Sequence, residues 1–154
     1  MWHVLGNICT PVQVTYPMNT LTEQTKRLPT VLLVEDDWVI KALIHDILEI
    51  EGFHVVAFDN ADDAWRYLHD NVASVDLIFS DIHLPGTLDG IDLANLAYRR
   101  WPQIPVILSS GVNGQQRLDS GCVPLFVPKP WHSRDIGTFC RRALAGQSLR
   151  GHAR

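Results

Sequence analysis

Short apolar runs alternate with longer amphipathic stretches along most of the chain. The short runs are rich in β-branched residues, which is typical of strands buried on both faces of a parallel sheet. We predict five such strands: Thr30–Val34, His54–Ala57, Leu77–Ser80, Pro105–Ser109 and Pro124–Val127.

Four of the longer stretches have the apolar period of helices that bury one face. Asn60 and Ser133 are predicted N-caps, Asp89 opens a third helix, and Gly52 suits the carboxyl end of the first. The predicted inner-face residues are Ile40, Leu43, Ile44 and Ile47 within Val39–Ile50; Ala61, Ala64, Trp65 and Leu68; Leu93, Ala94, Ala97 and Tyr98; and Ile136, Phe139, Cys140, Ala143 and Leu144.

Strands that alternate with helices indicate right-handed crossovers and a doubly wound α/β domain with a parallel sheet. The segment Gly111–Gly121 has little apolar periodicity, so a helix there should be short or irregular. We predict a partly disordered extension over residues 1–28, one domain over 29–146 and a flexible tail over 147–154.

Composition and charge argue against several classes of function. The chain has 154 residues, of which 46% are hydrophobic, and this fits one globular domain. A net charge of −4 argues against direct nucleic-acid binding. Cys9, Cys122 and Cys140 lack the spacing of a metal or disulfide motif. No stretch resembles a signal peptide or a membrane span, so we expect a cytoplasmic protein without membrane insertion.

Charged residues follow three of the predicted strands directly. Glu35 and Asp36 follow the first strand, Asp81 follows the third, and Lys129 comes just after the fifth. Because ligands bind at the carboxyl ends of strands in open α/β sheets, these side chains should converge on one edge. Such a cluster requires a cation and an anion, which indicates a metal and a phosphoryl group.

Carboxylate oxygens are suitable ligands for Mg²⁺, and beside that ion Asp81 could attack an electrophilic phosphorus atom. Lys129 would neutralise charge on the phosphoryl oxygens, and the hydroxyl of Ser109 or Ser110 could donate to another oxygen. Each feature alone has a more ordinary explanation, such as a helix cap, a turn or a solvated lysine. Their joint occurrence at successive strand ends favours the chemical interpretation.

Five segments carry a resemblance to a known family: Val31–Asp37 (VLLVEDD), Asp76–Gly86 (DLIFSDIHLPG), Asp89–Gly90, Pro105–Gly111 (PVILSSG) and Phe126–Pro130 (FVPKP). Together they resemble the receiver domain of two-component response regulators, from about residue 28 to residue 144. The resemblance implies a flavodoxin-like (CheY-like) five-stranded parallel sheet with strand order 2-1-3-4-5.

The resemblance also implies a magnesium site and a phosphorylation site. In that family the metal ligands correspond to Glu35, Asp36, Asp81 and the backbone carbonyl of His83. The cofactor is therefore expected to be Mg²⁺, and Asp81 corresponds to the phosphoacceptor.

The family's remaining functional residues correspond to Ser110, Lys129 and Phe126. Lys129 and Ser110 would assist phosphoryl transfer, and Ser110 with Phe126 would form the conformational switch. The family often joins the lysine to the following proline, here Pro130, by a cis peptide bond. Two features depart from the family pattern: the segment between Ser110 and Phe126 is short, and the switch aromatic lacks the hydroxyl of tyrosine.

The expected function is that of a single-domain response regulator. It would accept a phosphoryl group on Asp81 from a sensor histidine kinase or a histidine phosphotransfer protein, and then bind a downstream protein as a monomer or weak homodimer. A phosphate sink or relay carrier remains an alternative. A Mg²⁺-dependent phosphohydrolase is disfavoured, because Ile82 and His83 supply no second carboxylate, so no enzyme activity is expected beyond self-phosphorylation and autodephosphorylation.

Overall fold

The computed structural model describes residues 26–111 and 117–150, with side chains of the last helix to residue 146. In this part of the chain the strands are β1 (Thr30–Val34), β2 (His54–Phe58), β3 (Leu77–Asp81), β4 (Val106–Ser110) and β5 (Leu125–Pro128). The α-helices are α1 (Trp38–Ile50), α2 (Ala61–Asn71), α3 (Gly90–Arg100) and α4 (Ile136–Arg150).

The five strands form one sheet in the order β2-β1-β3-β4-β5, and every neighbouring pair is parallel. This confirms the predicted doubly wound α/β fold and its strand order. The order reverses between β1 and β3, and ligands bind beside such a reversal in open α/β sheets, outside the carboxyl ends of the strands.

Two apolar clusters hold the helices against the two faces of the sheet. On one face α2 and α3 pack against alternate strand residues such as Leu32, Ile78 and Leu108. On the other face α1 and α4 pack against the intervening residues, including Phe79 and Ile107. Complete burial of a Leu, Ile, Val or Phe side chain is worth about 1.5–3 kcal/mol, so these clusters supply most of the driving force for folding.

Side-chain caps determine where three helices begin. The Asp37 carboxylate accepts from Val39 N at 2.9 Å, and the Asn60 side chain accepts from Asp63 N at 2.8 Å. Asp89 caps α3 in a reciprocal capping box with Asp92. The predicted cap at Asn60 and the predicted start of a helix at Asp89 are therefore confirmed.

Two local predictions are wrong. Ser133 does not precede the last helix directly, because it opens a 3₁₀ turn over Ser133–Asp135 and α4 begins only at Ile136. Leu43 was predicted to face the core, yet it is 47% exposed. Ile44 is buried as predicted, and Ile40 and Ile47 pack against the same cluster, but the second fully buried residue of α1 is Leu48, which the predicted face omits.

Polar contacts with α3 hold the segment before β5. The buried Asn95 side chain donates to Arg117 O and accepts from Asp119 N, each at 2.8 Å. The Arg117 guanidinium contacts both Asp89 and Asp92 at the start of α3. Residues 117–124 contain no α-helix. The predicted short or irregular helix within Gly111–Gly121 falls partly on residues 112–116, which lie outside the described part of the chain.

The predicted end segments fall partly within the described residues. Arg27, in the predicted extension, forms a two-pronged ion pair with Asp76 at 2.7 and 2.9 Å. The last helix continues to Arg150, within the predicted tail. Residues 1–25 and 151–154 of these segments lie outside the described residues. Within residues 26–111 and 117–150, each helix is too short or too polar to cross a lipid bilayer.

Gly90 allows α3 to begin directly against the end of β3. Its backbone N–H donates to Ile82 O at 2.9 Å. A Cβ atom at this position would collide with the carbonyl oxygen of Asp81, and it would lie 2.9 Å from Ile82 Cα. Because backbone atoms cannot move aside as a flexible side chain can, only glycine is compatible with this contact.

Candidate functional site

The carboxyl edge of the sheet brings the predicted acidic residues together. Asp81 is the last residue of β3, and β1 ends next to it and leads into Glu35 and Asp36. One carboxylate oxygen from each of these three residues lies within 4.8 Å of the others. Glu35 and Asp81 are buried, at 3% and 9% exposure, whereas Asp36 is exposed. Solvent therefore reaches the cluster on the side of Asp36.

Lys129 reaches into this cluster from the end of β5. Its Nζ donates to Asp81 Oδ2 at 2.9 Å and to Glu35 Oε2 at 3.3 Å. The Lys129 backbone N–H donates to Ser110 O at 3.1 Å, which attaches the lysine to the end of β4. Residues from three separate strand ends thus form one connected group.

Backbone N–H groups orient both buried carboxylates. His83 N donates to Asp81 Oδ1 at 3.1 Å, and Asp37 N donates to Glu35 Oε1 at 3.2 Å. Asp37 itself caps α1 with its own carboxylate. Asp37 therefore serves as a helix cap, the ordinary role of an acid after a strand. Glu35 and Asp81 instead face the shared cluster.

Burial raises the pKa of Glu35 above its ordinary value. The negative charge of Asp81 acts in the same direction. The Asp37 N–H and the Lys129 ammonium favour the ionised form, but together they do not outweigh the loss of water. The ionised form of Glu35 is therefore less favourable in the folded protein than in the unfolded chain.

Burial lowers the pKa of Lys129, but its carboxylate partners reverse this effect. The hydrogen bond and the charge of Asp81 act together with those of Glu35, and the net pKa of Lys129 lies above its ordinary value. The ammonium group is consequently charged at neutral pH, so it can serve as a permanent positive charge in the site.

Replacing Glu35 with glutamine is expected to raise the melting temperature at neutral pH when a chelator removes divalent metal. The folded-state pKa of Glu35 is raised, so wild-type stability falls as pH rises from the unfolded-state pKa through the folded-state pKa. The neutral amide removes that loss and can still accept from Asp37 N. Melting curves at several pH values should show that the melting temperatures of the two proteins become equal in acid. Glu49→Gln, at an exposed position of α1, is the control. A less stable Glu35→Gln protein at neutral pH would contradict this account.

The residues at this edge fit a hard divalent cation. Their donor atoms are carboxylate oxygens, which such cations prefer. Glu35, Asp36 and Asp81 bring three carboxylates together, and Lys129 supplies one positive charge against them. A bound cation would oppose the mutual repulsion that helps to raise the pKa of Glu35. The group could therefore hold a metal ion.

The other predicted residues surround this cluster. Ser110 is buried at the end of β4, and Phe126 is half-buried on β5 in register with Leu108. His83 is exposed just beyond Asp81. The Lys129–Pro130 peptide bond is cis, as predicted.

One hydrogen bond beside the site is not predicted by the sequence. Trp131 Nε1 donates to the buried Ser109 Oγ at 2.9 Å. The sequence offers Ser109 as well as Ser110 as a phosphoryl-binding hydroxyl, but the Ser109 hydroxyl accepts from the indole of Trp131. Trp131 carries no periodic or motif signal that would have predicted this bond.

Comparison with known proteins gives the family. The family model of the response regulator receiver domain matches residues 31–138. This chain belongs to that family. Receiver domains bind Mg²⁺ at an acidic cluster, are phosphorylated by histidine kinases, and generally act as non-enzymatic signalling domains. The predicted family is therefore confirmed.

Two curated relatives illustrate how this receiver domain relates to longer proteins. The response regulator protein FleR of Pseudomonas aeruginosa is 33% identical over 121 residues, which cover 76% of this chain and 25% of FleR. The transcriptional regulatory protein CpxR of Escherichia coli is 33% identical over 118 residues, which cover 74% of this chain and 48% of CpxR. The chain thus spans less than half of either relative.

Solved structures support the same fold. The signal receiver domain of an HD domain-containing protein from Pseudomonas fluorescens has a TM-score of 0.70 and 26% sequence identity. The match covers 80% of this chain and 99% of that one. Similarity therefore extends across the whole of that receiver domain.

Proposed function

We propose that this receiver domain accepts a phosphoryl group on Asp81 and passes the resulting change to a protein partner. The observation that carries the proposal is the contact of Lys129 Nζ with Asp81 Oδ2 at 2.9 Å inside a cluster of three carboxylates. This arrangement puts a nucleophilic carboxylate beside a charge that can stabilise phosphoryl oxygens.

Mg²⁺ is the proposed cofactor. The carboxylates of Glu35, Asp36 and Asp81, together with the backbone carbonyl of His83, would hold it. The bound ion supplies positive charge that neutralises the phosphoryl oxygens during transfer. The hard donor set and the small number of protein ligands suit Mg²⁺, which keeps several waters and phosphate oxygens in its coordination shell.

The proposed donor is a phosphohistidine on a sensor histidine kinase or a histidine phosphotransfer protein. An Asp81 carboxylate oxygen attacks the phosphorus, an O–P bond forms, and the N–P bond breaks as the imidazole leaves. The Lys129 ammonium then exchanges its bond to Asp81 for one to a phosphoryl oxygen. The Ser110 hydroxyl donates to a second oxygen, so charge is stabilised from two sides.

Ser110 and Phe126 form the proposed switch. Movement of the Ser110 side chain towards the phosphoryl group would open space that the half-buried Phe126 ring fills. Phosphorylation would then favour a second packing of β5 and its surroundings, and a downstream protein that binds this packing more tightly would read the signal. Since phenylalanine lacks a hydroxyl, the readout depends on ring packing rather than a hydrogen bond.

We expect labelling by radioactive acetyl phosphate to depend on Mg²⁺ and to reach one phosphoryl group per chain. A chelator should reduce the label to background, and excess Mg²⁺ should restore it, because without the cation the carboxylates repel the incoming phosphate. Hydroxylamine should release the label, since it cleaves acyl phosphates and leaves phosphoserine intact. Full labelling in chelator, or a hydroxylamine-resistant label, would refute the proposal.

A further inference from the structure

Ser109 joins three elements around the site. Its backbone carbonyl accepts from Ile82 N at 3.1 Å, directly after Asp81 on the β3 side. Its side-chain Oγ accepts from Trp131 Nε1 at 2.9 Å, on the side of the loop that follows β5. Ser109 is 1% exposed, so both bonds are shielded from water. A single buried residue of β4 thus connects the segment after Asp81 with the segment after Lys129.

Ser109 and Ser110 face opposite sides of the sheet. Along β4, Leu108 belongs to the cluster beneath α2 and α3, and Ile107 belongs to the cluster beneath α1 and α4. Because strand residues alternate in direction, Ser110 shares the side of Leu108, and Ser109 shares the side of Ile107. Trp131 packs against the second cluster, on the side of Ser109. The bond between Ser109 and Trp131 is therefore separate from the proposed switch.

The hydrogen bond between Trp131 and Ser109 matters for Lys129, because the lysine side chain extends across the sheet to Asp81. Lys129 follows β5 yet contacts Asp81 on β3, so its side chain passes over the end of the intervening β4. The loop is attached to β4 twice, by Lys129 N to Ser110 O at 3.1 Å and by Trp131 Nε1 to Ser109 Oγ at 2.9 Å. These two attachments lie on either side of Pro130.

We propose that Trp131 is a positioning residue for Lys129. Its indole N–H bond to Ser109 and the packing of its ring hold the lysine's backbone against β4, so that Nζ meets Asp81 and, during transfer, a phosphoryl oxygen. This inference rests on the proposed function, in which Lys129 assists phosphoryl transfer. A long lysine side chain has many rotamers, so a loosened backbone would lower the fraction of chains with Nζ in place.

Trp131→Phe and Ser109→Ala remove the same hydrogen bond from opposite ends. Each variant is expected to slow labelling by acetyl phosphate at saturating Mg²⁺ by about three- to tenfold, and the double variant should be no slower than the singles. Calorimetry should show that each variant binds Mg²⁺ at least as tightly as the wild type, because Trp131 and the Ser109 side chain supply no metal ligand and a less constrained ammonium competes less for the carboxylates.

A Lys129→Met background tests whether Trp131 acts through Lys129. In that background Trp131→Phe should cause no further loss of rate. Trp101→Phe is the matched control, since Trp101 is also half-buried and packs against Trp65, and it should label at the wild-type rate. Melting curves identify any variant that is unfolded at the assay temperature. If Trp131→Phe is unfolded, the smaller Ser109→Ala change decides the question.

Distinct results separate this inference from the proposed function. Wild-type rates in folded Trp131→Phe and Ser109→Ala would overturn the positioning role while leaving phosphorylation of Asp81 intact. An additional loss in the Lys129→Met background would also overturn it, because Trp131 would then act independently of Lys129. Absence of label on the wild-type protein would instead refute the proposed function itself.

Discussion

An Asp81→Asn protein is expected to take up no phosphoryl group from acetyl phosphate or from a phosphorylated histidine kinase. The amide oxygen is not an effective nucleophile and cannot form the acyl phosphate. The substitution is nearly isosteric, and the amide oxygen can still accept from Lys129 Nζ or His83 N, the two present partners of the carboxylate. Loss of label would therefore reflect lost chemistry rather than a lost fold. Intact-protein mass spectrometry and retained radioactivity measure it directly.

The matched control for this variant is Asp70→Asn. Asp70 lies on α2 with a side chain that is 80% exposed and pairs only weakly with His69. It should label at the wild-type rate and to the wild-type extent. Full labelling of Asp81→Asn, with release by hydroxylamine, would assign the phosphoacceptor to another carboxylate and refute the proposed site.

Replacing Lys129 with methionine is expected to slow labelling about 10²–10³-fold at saturating Mg²⁺. Methionine keeps much of the apolar stem but lacks the ammonium that contacts Asp81 and Glu35. Without this charge, the phosphoryl oxygens lose one of their two proposed protein donors. Calorimetry should show that Mg²⁺ still binds, and more tightly than in the wild type, because the ammonium no longer competes for the two carboxylates.

Lys41→Met provides the comparison for a lost lysine charge. Lys41 on α1 pairs with Asp59 rather than with the cluster of carboxylates. Its replacement should leave both the labelling rate and the Mg²⁺ affinity near wild-type values. A Lys129→Met protein that labels within about threefold of wild type would show that the ammonium contributes little to transfer.

The sequence was sufficient to predict the sheet and the convergence of its charged residues. Buried parallel strands are nearly continuous apolar runs, so β1 and β3 can be recognised from composition alone. Parallel strands also end at a common edge, which is why the sequence alone predicts that Glu35, Asp81 and Lys129 lie together. The roles assigned to these residues remain predictions.

Contacts that depend on packing between elements were not predictable. Leu43 has the apolar character of a core residue, but the orientation of α1 on the sheet leaves it exposed and buries Leu48, which the predicted face omits. Asn95 would ordinarily be assigned to an exposed helix face, and it is buried because its amide satisfies two backbone groups of the following segment. The bond from Trp131 to Ser109 joins the loop after β5 to strand β4, and this approach has no signature in the local sequence.

The contact of Gly90 with the carbonyl of Asp81 affects how loss-of-function alleles should be interpreted. Any side chain at residue 90 must displace the backbone that carries the proposed phosphoacceptor. In a genetic screen for loss of signalling, alleles of Gly90 would therefore group with alleles of Asp81, although glycine has no group that can touch phosphate or metal. Second mutations that restore signalling to Gly90 alleles should map to residues at which β3 and α3 can move apart. Alleles of Asp81 should have no such compensating mutations.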